Sequence, residues 1–364
     1  MSSNKKRVCF FSGDITRSGG TERVSSIIAN ELQQYNKFDL CFLSLFEKRK
    51  RTFFPLEEQI KRFTLYDKEV SGAKHFFGYI YRIHRFVIRE KIDILIDIDG
   101  ILDMYSIPAL MFTKVKLISW EQFGYYQNPY VNYRKFTRKW AARKADAIVV
   151  LTDTDRGYYE KETNIKGKLV RIYNPIERNA REHQYNLESK QLISVGRLNQ
   201  EKGFDMLIDI AEIVFKKHTD WKWIILGEGE ERVWLETKIR EKKLEKHIVL
   251  MGKVNNVNDY YQESAIYVLT SRFEGFGLVL TEAKNMGLPC VSFRCPAGPG
   301  EIIEEEVNGY LVDCFDIEQM AEKINLLIED GNLRKSFSDR AMVGTEKFML
   351  NIIGEQWKKL LEEL

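Results

Sequence analysis

The run Ala265-Ile266-Tyr267-Val268-Leu269 and the stretch after it, Ser271-Arg272-Phe273-Glu274-Gly275-Phe276-Gly277-Leu278-Val279-Leu280-Thr281-Glu282-Ala283, decide the fold of this chain. An unbroken apolar run of this length reads as a strand buried on both faces, the mark of a parallel sheet. Gly275 and Gly277 then fall where strand gives way to helix, and the first amides of that helix have no partner within it. Amides so placed favour a diphosphate, and glycine lets the backbone approach it with no Cβ in the way. Glu274 precedes the turn, and Glu282 lies about two helical turns further on. A glycine pair alone is an ordinary strand-to-helix turn. The surrounding residues make it more than that.

Outward from this stretch the pattern repeats. Apolar runs alternate with helical spacing at Arg7 to Ser12, Leu40 to Leu45, Ile92 to Asp97, Val115 to Ser119 and Ala147 to Leu151. After a polar segment, Asn174-Pro175-Ile176-Glu177 to Ser189, they resume at Leu192 to Gly196, Trp223 to Leu226, Ile248 to Met251, Ala265 to Leu269 and Pro289 to Phe293. This alternation predicts an α/β chain of two doubly wound, Rossmann-like domains. The length of 364 residues also exceeds what one core sustains. The expected domains are residues 1–175 and 190–344, facing each other across a ligand cleft at the carboxyl ends of their sheets. A closing helix, residues 345–364, is expected to return to the first domain through Phe348, Ile352, Ile353, Trp357 and Leu360.

The net charge of +3 conceals an uneven distribution. Residues 1–178 hold 32 Lys/Arg against 21 Asp/Glu, and the remainder hold 24 against 32. A basic amino-terminal half fits an anionic partner, either a phospholipid surface or a pyrophosphate-linked substrate; charge alone leaves nucleic acid open. The five cysteines form no CxxC pair and sit mostly in apolar runs, as reduced core residues do. The five histidines lack metal-ligand spacing, so no metal site is expected. No secretory segment follows Met1-Ser2-Ser3-Asn4-Lys5-Lys6-Arg7, and no apolar run approaches the roughly 20 residues that span a bilayer. A cytosolic protein, soluble or resting on a membrane face, is expected.

Chemistry enters with Ser194-Val195-Gly196-Arg197-Leu198-Asn199-Gln200-Glu201-Lys202-Gly203. A strand ends in Gly196, Arg197 follows at once, and Lys202 stands where the next helix begins. Fixed cations aimed at a departing diphosphate stabilise the charge that accumulates as a glycosidic bond breaks.

On these residues the chain resembles the retaining GT-B glycosyltransferases of family 4. The resemblance rests on Gly196-Arg197-Leu198 with Lys202-Gly203, on Gly227-Glu228-Gly229, on Glu274-Gly275-Phe276-Gly277 with Glu282, and on Gly19-Gly20-Thr21-Glu22-Arg23. It covers essentially the whole chain. It implies that Arg197 and Lys202 grip the donor diphosphate, that Glu274 meets the transferring sugar, and that Glu282 holds the ribose hydroxyls. It further implies that Gly227 lines the nucleotide pocket, that the backbone of Lys253 and Val254 meets the base, and that Gly275, Phe276, Gly277 and Leu278 surround the phosphates. Retention, with the diphosphate taking the acceptor's proton, is likewise the family's mechanism and needs no side-chain nucleophile or cofactor.

Gly19-Gly20 follows the first strand and precedes a helix, so its amides are expected to approach the donor phosphates; Glu22 reads as helix-terminal electrostatics. Glu121, just past a strand end, stands where relatives place an acceptor-facing acid, and is the candidate to orient or deprotonate the acceptor. Asp97-Ile98-Asp99 spells a metal-binding DxD, but sits in the basic half away from the donor motifs. Asp153-Thr154-Asp155 reads as a helix cap. The loop Cys295-Pro296-Ala297-Gly298-Pro299-Gly300-Glu301 is expected to shape the sugar pocket.

Lys74 to Lys91 places Phe76, Ile80, Ile83 and Val87 on one helical face, widened by Phe77, Tyr81 and Ile88, with Arg82, Arg85 and Arg89 opposite. Tyr133 to Lys144 repeats the theme with Arg134, Lys135, Arg138, Lys139, Arg143 and Lys144 around Phe136 and Trp140. Each is either a core-packed helix with a solvated basic face or an interfacial helix.

The expectation is therefore a metal-independent transferase moving a hexose or N-acetylhexosamine from a nucleotide sugar, UDP-linked, onto a polyprenyl-diphosphate-linked glycan during surface polysaccharide synthesis, with no nucleic-acid partner. A UDP-sugar epimerase of the same fold, expected to lack the Glu274/Glu282 pair, and a silent partner subunit, expected to lack Arg197, Lys202 or Glu274, are the alternatives. A nicotinamide dehydrogenase is disfavoured, because neither first-strand turn contains GxGxxG.

Overall fold

A computed structural model describes residues 5–127, 132–176 and 185–364. The central part of the expected linker, residues 177–184, lies outside them. The chain divides into two compact units, Met1–Pro175 with Phe348–Leu364, and Ile176–Lys347.

The first unit carries β1 (Lys6–Ser12), α1 (Gly20–Gln34), β2 (Phe38–Ser44), β3 (Lys61–Thr64), α2 (Phe76–Arg89), β4 (Ile94–Ile98) and α3 (Asp103–Leu110). It continues with β5 (Lys116–Trp120), α4 (Asn132–Lys144), β6 (Ala147–Val150), α5 (Asp153–Glu162) and β7 (Lys168–Arg171). Its strands pair in parallel in the order β3-β2-β1-β4-β5-β6-β7. The second unit carries β8 (Gln191–Val195), α6 (Phe204–Lys217), β9 (Lys222–Leu226), α7 (Arg232–Glu241), β10 (Ile248–Gly252), α8 (Val257–Glu263) and β11 (Ile266–Leu269). Then come α9 (Leu278–Asn285), β12 (Cys290–Phe293), α10 (Pro299–Ile302), β13 (Gly309–Val312), α11 (Ile317–Glu329) and α12 (Gly331–Asp339). Its sheet runs β10-β9-β8-β11-β12-β13, again all parallel.

In both sheets the strand order reverses beside the first strand, between β1 and β4 and between β8 and β11. Loops leaving such neighbours diverge to opposite faces and open a crevice at the carboxyl edge. The sequence stretches singled out for chemistry leave β8 and β11, so topology places them side by side.

The central strands are mostly apolar, and their side chains fill the core: Cys9, Phe11, Leu95 and Ile148 in one unit, Leu192, Trp223, Ile266 and Val291 in the other. The three strands that periodicity does not announce, β3, β7 and β13, all lie at sheet edges. Edge strands face water on one side, and Lys61, Arg62, Lys168 and Arg171 break their apolar runs.

The last helix, α13 (Leu350–Glu363), belongs to the first unit. Trp357 is fully buried with its ring 4.7 Å from Trp120, and Ile353, Leu360 and Leu361 join it. Ile352, expected on the packing face, is instead exposed. Gly354 permits the close approach of α13 to α1, because a Cβ there would lie 2.6 Å from Glu31 Cγ and 2.9 Å from the Tyr35 hydroxyl. Lys6 Nζ donates to the carbonyl of Leu361 at 3.0 Å, tying the start of β1 to the end of α13. Removing the Trp357 side chain leaves an uncollapsible cavity, so Trp357→Ala is expected to lower the unfolding free energy of the first unit by about 3–5 kcal/mol, read from chemical denaturation.

Candidate functional site

The site begins with loop geometry in the second unit. After β8, Gly196 donates its amide to Leu226 at 2.9 Å, and Leu198 donates to Glu228 at 3.0 Å. Gly227, at φ +139°, passes so close that a Cβ would stand 1.8 Å from the Gly196 carbonyl oxygen. No other residue type fits there, which explains the Gly227-Glu228-Gly229 pattern without a ligand. Gly203 repeats the arrangement on the other side: at φ +65°, its Cβ would meet the Thr270 carbonyl at 2.1 Å. The loops after β8 and β11 are therefore in backbone contact.

Side chains stitch the same two loops together. Lys202 closes a single helical turn capped by Asn199, whose side chain accepts from the Lys202 amide at 3.3 Å. That turn aims Lys202 Nζ at Glu274, to which it donates at 2.6 Å, while Ser271 Oγ donates to the same carboxylate oxygen at 2.6 Å. Thr270 Oγ1 donates to the Lys202 carbonyl at 3.2 Å. Arg272 grips Asp205 with two nitrogens, at 2.7 and 2.6 Å, and donates to the Gln200 carbonyl at 2.8 Å. That bidentate pair holds the Asp205 carboxyl below the usual range, its hydrogen bonds and charge outweighing the cost of burial. Glu274 is itself nearly buried, so removing either Lys202 or Glu274 leaves a charge poorly hydrated.

Gly277, at φ +97°, caps α9 and supplies no side-chain acceptor to its first amides. Gly298, at φ +95°, presses the Cys295-to-Glu301 loop onto the Phe276 backbone, where a Cβ would lie 2.2 Å from the Phe276 oxygen. The loop, expected to shape the sugar pocket, thus packs against the backbone of the Gly275–Gly277 turn. Further along α9, Tyr261 donates its hydroxyl to Glu282 Oε2 at 3.2 Å, and fully buried Lys284 donates to the Ile302 carbonyl at 2.7 Å. Burial pushes the Lys284 ammonium down to about 8. Lys253 is exposed and Val254 half-buried in the loop leaving β10, beyond Gly252 at φ +76°.

The two expected cations part company. Lys202 joins Glu274, whereas Arg197 extends into solvent and pairs with exposed Glu230 at 3.4 Å. Such a surface pair contributes little and exchanges readily for a stronger anion.

In the first unit, Glu22 folds back under Gly19, whose Cβ would stand 2.4 Å from its carboxylate. Glu22 accepts from the amides of Gly19 and of Glu22 itself, and burial raises its carboxyl above the ordinary value. The start of α1 therefore already holds an acid of the chain against Gly19.

Glu121 requires a correction. It is buried, and its Oε2 accepts from Arg138 Nε at 2.7 Å and the Tyr159 hydroxyl at 3.0 Å, with Arg134 3.9 Å from Oε1. Burial would raise its carboxyl, but the charges of Arg138 and Arg134 override it and hold the group below the usual range. An acid so paired is a structural anion rather than a base facing solvent. Asp99 is taken up bidentately by Arg134 at 3.0 and 3.1 Å, and Asp97 accepts from Ser106 at 2.8 Å inside the core. The cap on α5 is Thr152, one residue before the expected acids, accepting from the Asp155 amide at 3.0 Å.

A glycine-packed crevice edge, a lysine–glutamate pair and an uncapped helix start at a topological switch point suit an anionic sugar donor, and comparison with known proteins decides the family. Two family models divide the chain between them: Glycosyltransferase Family 4 matches residues 18–179, and Glycosyl transferases group 1 matches residues 175–342. An uncharacterised glycosyltransferase of Haemophilus influenzae is 31% identical over 98% of this chain and 100% of its own length. The chain belongs to the group 1, family 4 glycosyltransferases. The GalNAc-alpha-(1->4)-GalNAc-alpha-(1->3)-diNAcBac-PP-undecaprenol alpha-1,4-N-acetyl-D-galactosaminyltransferase of Campylobacter jejuni is 28% identical to this glycosyltransferase, over 95% of the chain and 96% of that protein. Among solved structures, Staphylococcus aureus TarM, captured with fondaparinux, alpha-GlcNAc-glycerol and UDP, superimposes with a TM-score of 0.82 over 98% of this chain and 99% of its own, at 16% identity. The fold of the glycosyltransferase is thus GT-B.

Of the residues singled out in the sequence, the structure joins Lys202 to Glu274 beside the glycine turns and sets Glu282 on α9; Ser271, the Arg272–Asp205 pair and Tyr261, which join them, were not singled out. Ser271 stood within the quoted stretch, three positions before its partner Glu274, whereas Arg272 meets Asp205 67 positions away, a pairing that leaves no local signal.

Two outcomes follow from this geometry. Gly227→Ala combines a disallowed backbone with a backbone collision and is expected to lower stability of the second unit by about 2–4 kcal/mol, measured by the shift in denaturation midpoint. Burial pushes the Asp97 carboxyl up to about 7, so its folded value lies above its unfolded one. The corresponding stability is complete below the unfolded value and is lost as pH rises through about 7. Asp97→Asn is expected to flatten that loss between about pH 4 and pH 8 in pH-dependent denaturation.

Proposed function

We propose that this glycosyltransferase moves a hexose or N-acetylhexosamine from a UDP-sugar onto a polyprenyl-diphosphate-linked glycan, with retention of configuration and without a metal ion. The observation that carries the proposal is Lys202 paired with Glu274 beside the Gly275-Gly277 turn. Lys202 and Arg197 supply the positive charge that a departing diphosphate needs, together with the first amides of α9. Both observed bonds to Glu274 fall on Oε1, so Oε2 is the oxygen assigned to a sugar hydroxyl. Glu282, steadied by Tyr261, is assigned to the ribose hydroxyls, Gly227 to the nucleotide pocket, and the backbone of Lys253 and Val254 to the base.

In the retaining step the acceptor hydroxyl attacks the anomeric carbon from the side the diphosphate leaves. The sugar–phosphate bond breaks, the new glycosidic bond forms, and the diphosphate oxygen takes the acceptor's proton. The UDP in the TarM complex and the undecaprenol-linked acceptor named for the Campylobacter relative support the choice of donor and acceptor. An acceptor of that kind would bring the enzyme to the cytoplasmic face of a membrane. No helix among the described residues is long and apolar enough to cross one.

Hydrolysis of a panel of UDP-, GDP- and ADP-sugars is expected to single out a UDP-sugar; isomerisation of the sugar without hydrolysis or transfer would make the protein an epimerase instead. Glu274→Ala and Lys202→Ala are each expected to lower transfer by at least about a hundredfold while the far-ultraviolet spectrum is unchanged, and wild-type turnover in either folded variant would remove its assigned role.

A further inference from the structure

The face of α2 that points away from the core is apolar as well as basic. Tyr79, Ile83, Phe86 and Val87 are buried against the sheet, yet Phe77, Tyr81 and Ile88 stand 82%, 60% and 57% exposed. They recur at intervals of four and seven residues, so they form one outward stripe about 16 Å long. The structure thereby separates the helix's apolar residues into two faces, where the sequence suggested one widened arc.

A second exposed element adjoins it. Tyr105 of α3 lies 5.6 and 5.0 Å from Phe76 and Tyr79, and His84 Nδ1 meets the Ala109 carbonyl at 2.8 Å, so α3 runs beside α2 in the same direction. Just past the end of α3, beside the last turn of α2, Met111 is 53% exposed and Phe112 99%. Phe112 also adopts φ +65°, a left-handed backbone uncommon for a bulky residue. At 99% exposure the Phe112 ring lies in water, and none of the described residues covers it.

Charge identifies what does. Arg85, Arg89, Lys91 and Lys114 are exposed along the stripe and tip, and Arg85 lies 5.7 Å from the Tyr81 ring centre. The nearby acids are engaged: Glu90 pairs with Arg7 and Arg89, and Asp93 accepts from the Arg7 amide. Aromatic rings interleaved with cations, ending in a projecting apolar tip, match an anionic lipid surface, with rings at the acyl boundary and cations among headgroups.

We propose that the outward face of α2 and the Met111-Phe112 tip form a docking surface for anionic phospholipid. The proposal goes beyond the function proposed above and does not depend on its donor or acceptor. It is tested with the full chain by co-sedimentation with vesicles of phosphatidylglycerol and phosphatidylcholine against phosphatidylcholine alone. The wild type is expected to bind the anionic vesicles at least about tenfold more strongly, and to lose most of that binding in high salt. The double variants F77S/F112S and R85E/R89E are each expected to weaken it by about tenfold or more, with unchanged thermal unfolding and unchanged hydrolysis of the donor in free solution. Wild-type chain that ignores anionic vesicles, or variants that bind like wild type, would overturn the proposal. So would self-association that F112S abolishes while vesicle binding persists, since the patch would then be a protein interface. Loss of donor hydrolysis in the wild type, with vesicle binding intact, would strike the transferase reading alone.

Discussion

The second unit turns on a contact between two loops that leave neighbouring parallel strands: Gly203 seated against the Thr270 carbonyl, with Lys202 reaching over it to Glu274. A lysine and a glutamate 72 positions apart can share a hydrogen bond of 2.6 Å only because β8 and β11 are adjacent and their loops diverge at the reversal of strand order. Neighbouring features of the site support that contact. The Arg272–Asp205 fork fixes the loops in register, Gly196 and Gly227 let the neighbouring β9 loop close against them, and Gly277 starts α9 with its amides uncapped.

The energetic logic is that of a site built before its ligand arrives. Desolvating Lys202 and Glu274 is tolerable because each neutralises the other and Ser271 adds a further donor. In the proposed transfer, charge preorganised in this way needs no reorganisation as the departing diphosphate takes on negative charge. Arg197 differs: exposed and loosely paired with Glu230, it is the adaptable member of the two cations.

Much of this was legible in the sequence, for identifiable reasons. Strands buried on both faces announce themselves as apolar runs, and glycines forced by backbone collisions cluster at the turns. The edge strands β3, β7 and β13 were not legible, since lysines, arginines and half-exposed positions interrupt their pattern. Glu121 shows the sharper limit. Its position after β5 suggested an acceptor-facing acid, but its meaning is set by Arg138 and Tyr159, 17 and 38 residues further on. Phe77 shows the converse: the sequence left its helix either core-packed or interfacial, and only the packing of α2 places that ring in water.

The most direct test of the account is a crystal structure of the glycosyltransferase with UDP. It should show the diphosphate within hydrogen-bond distance of Lys202 Nζ and the amides of Gly277 and Leu278, with Arg197 drawn off Glu230 and the ribose hydroxyls on Glu282. A nucleotide bound away from the β8 and β11 loops, or seated there with its phosphates turned from Lys202, would contradict it.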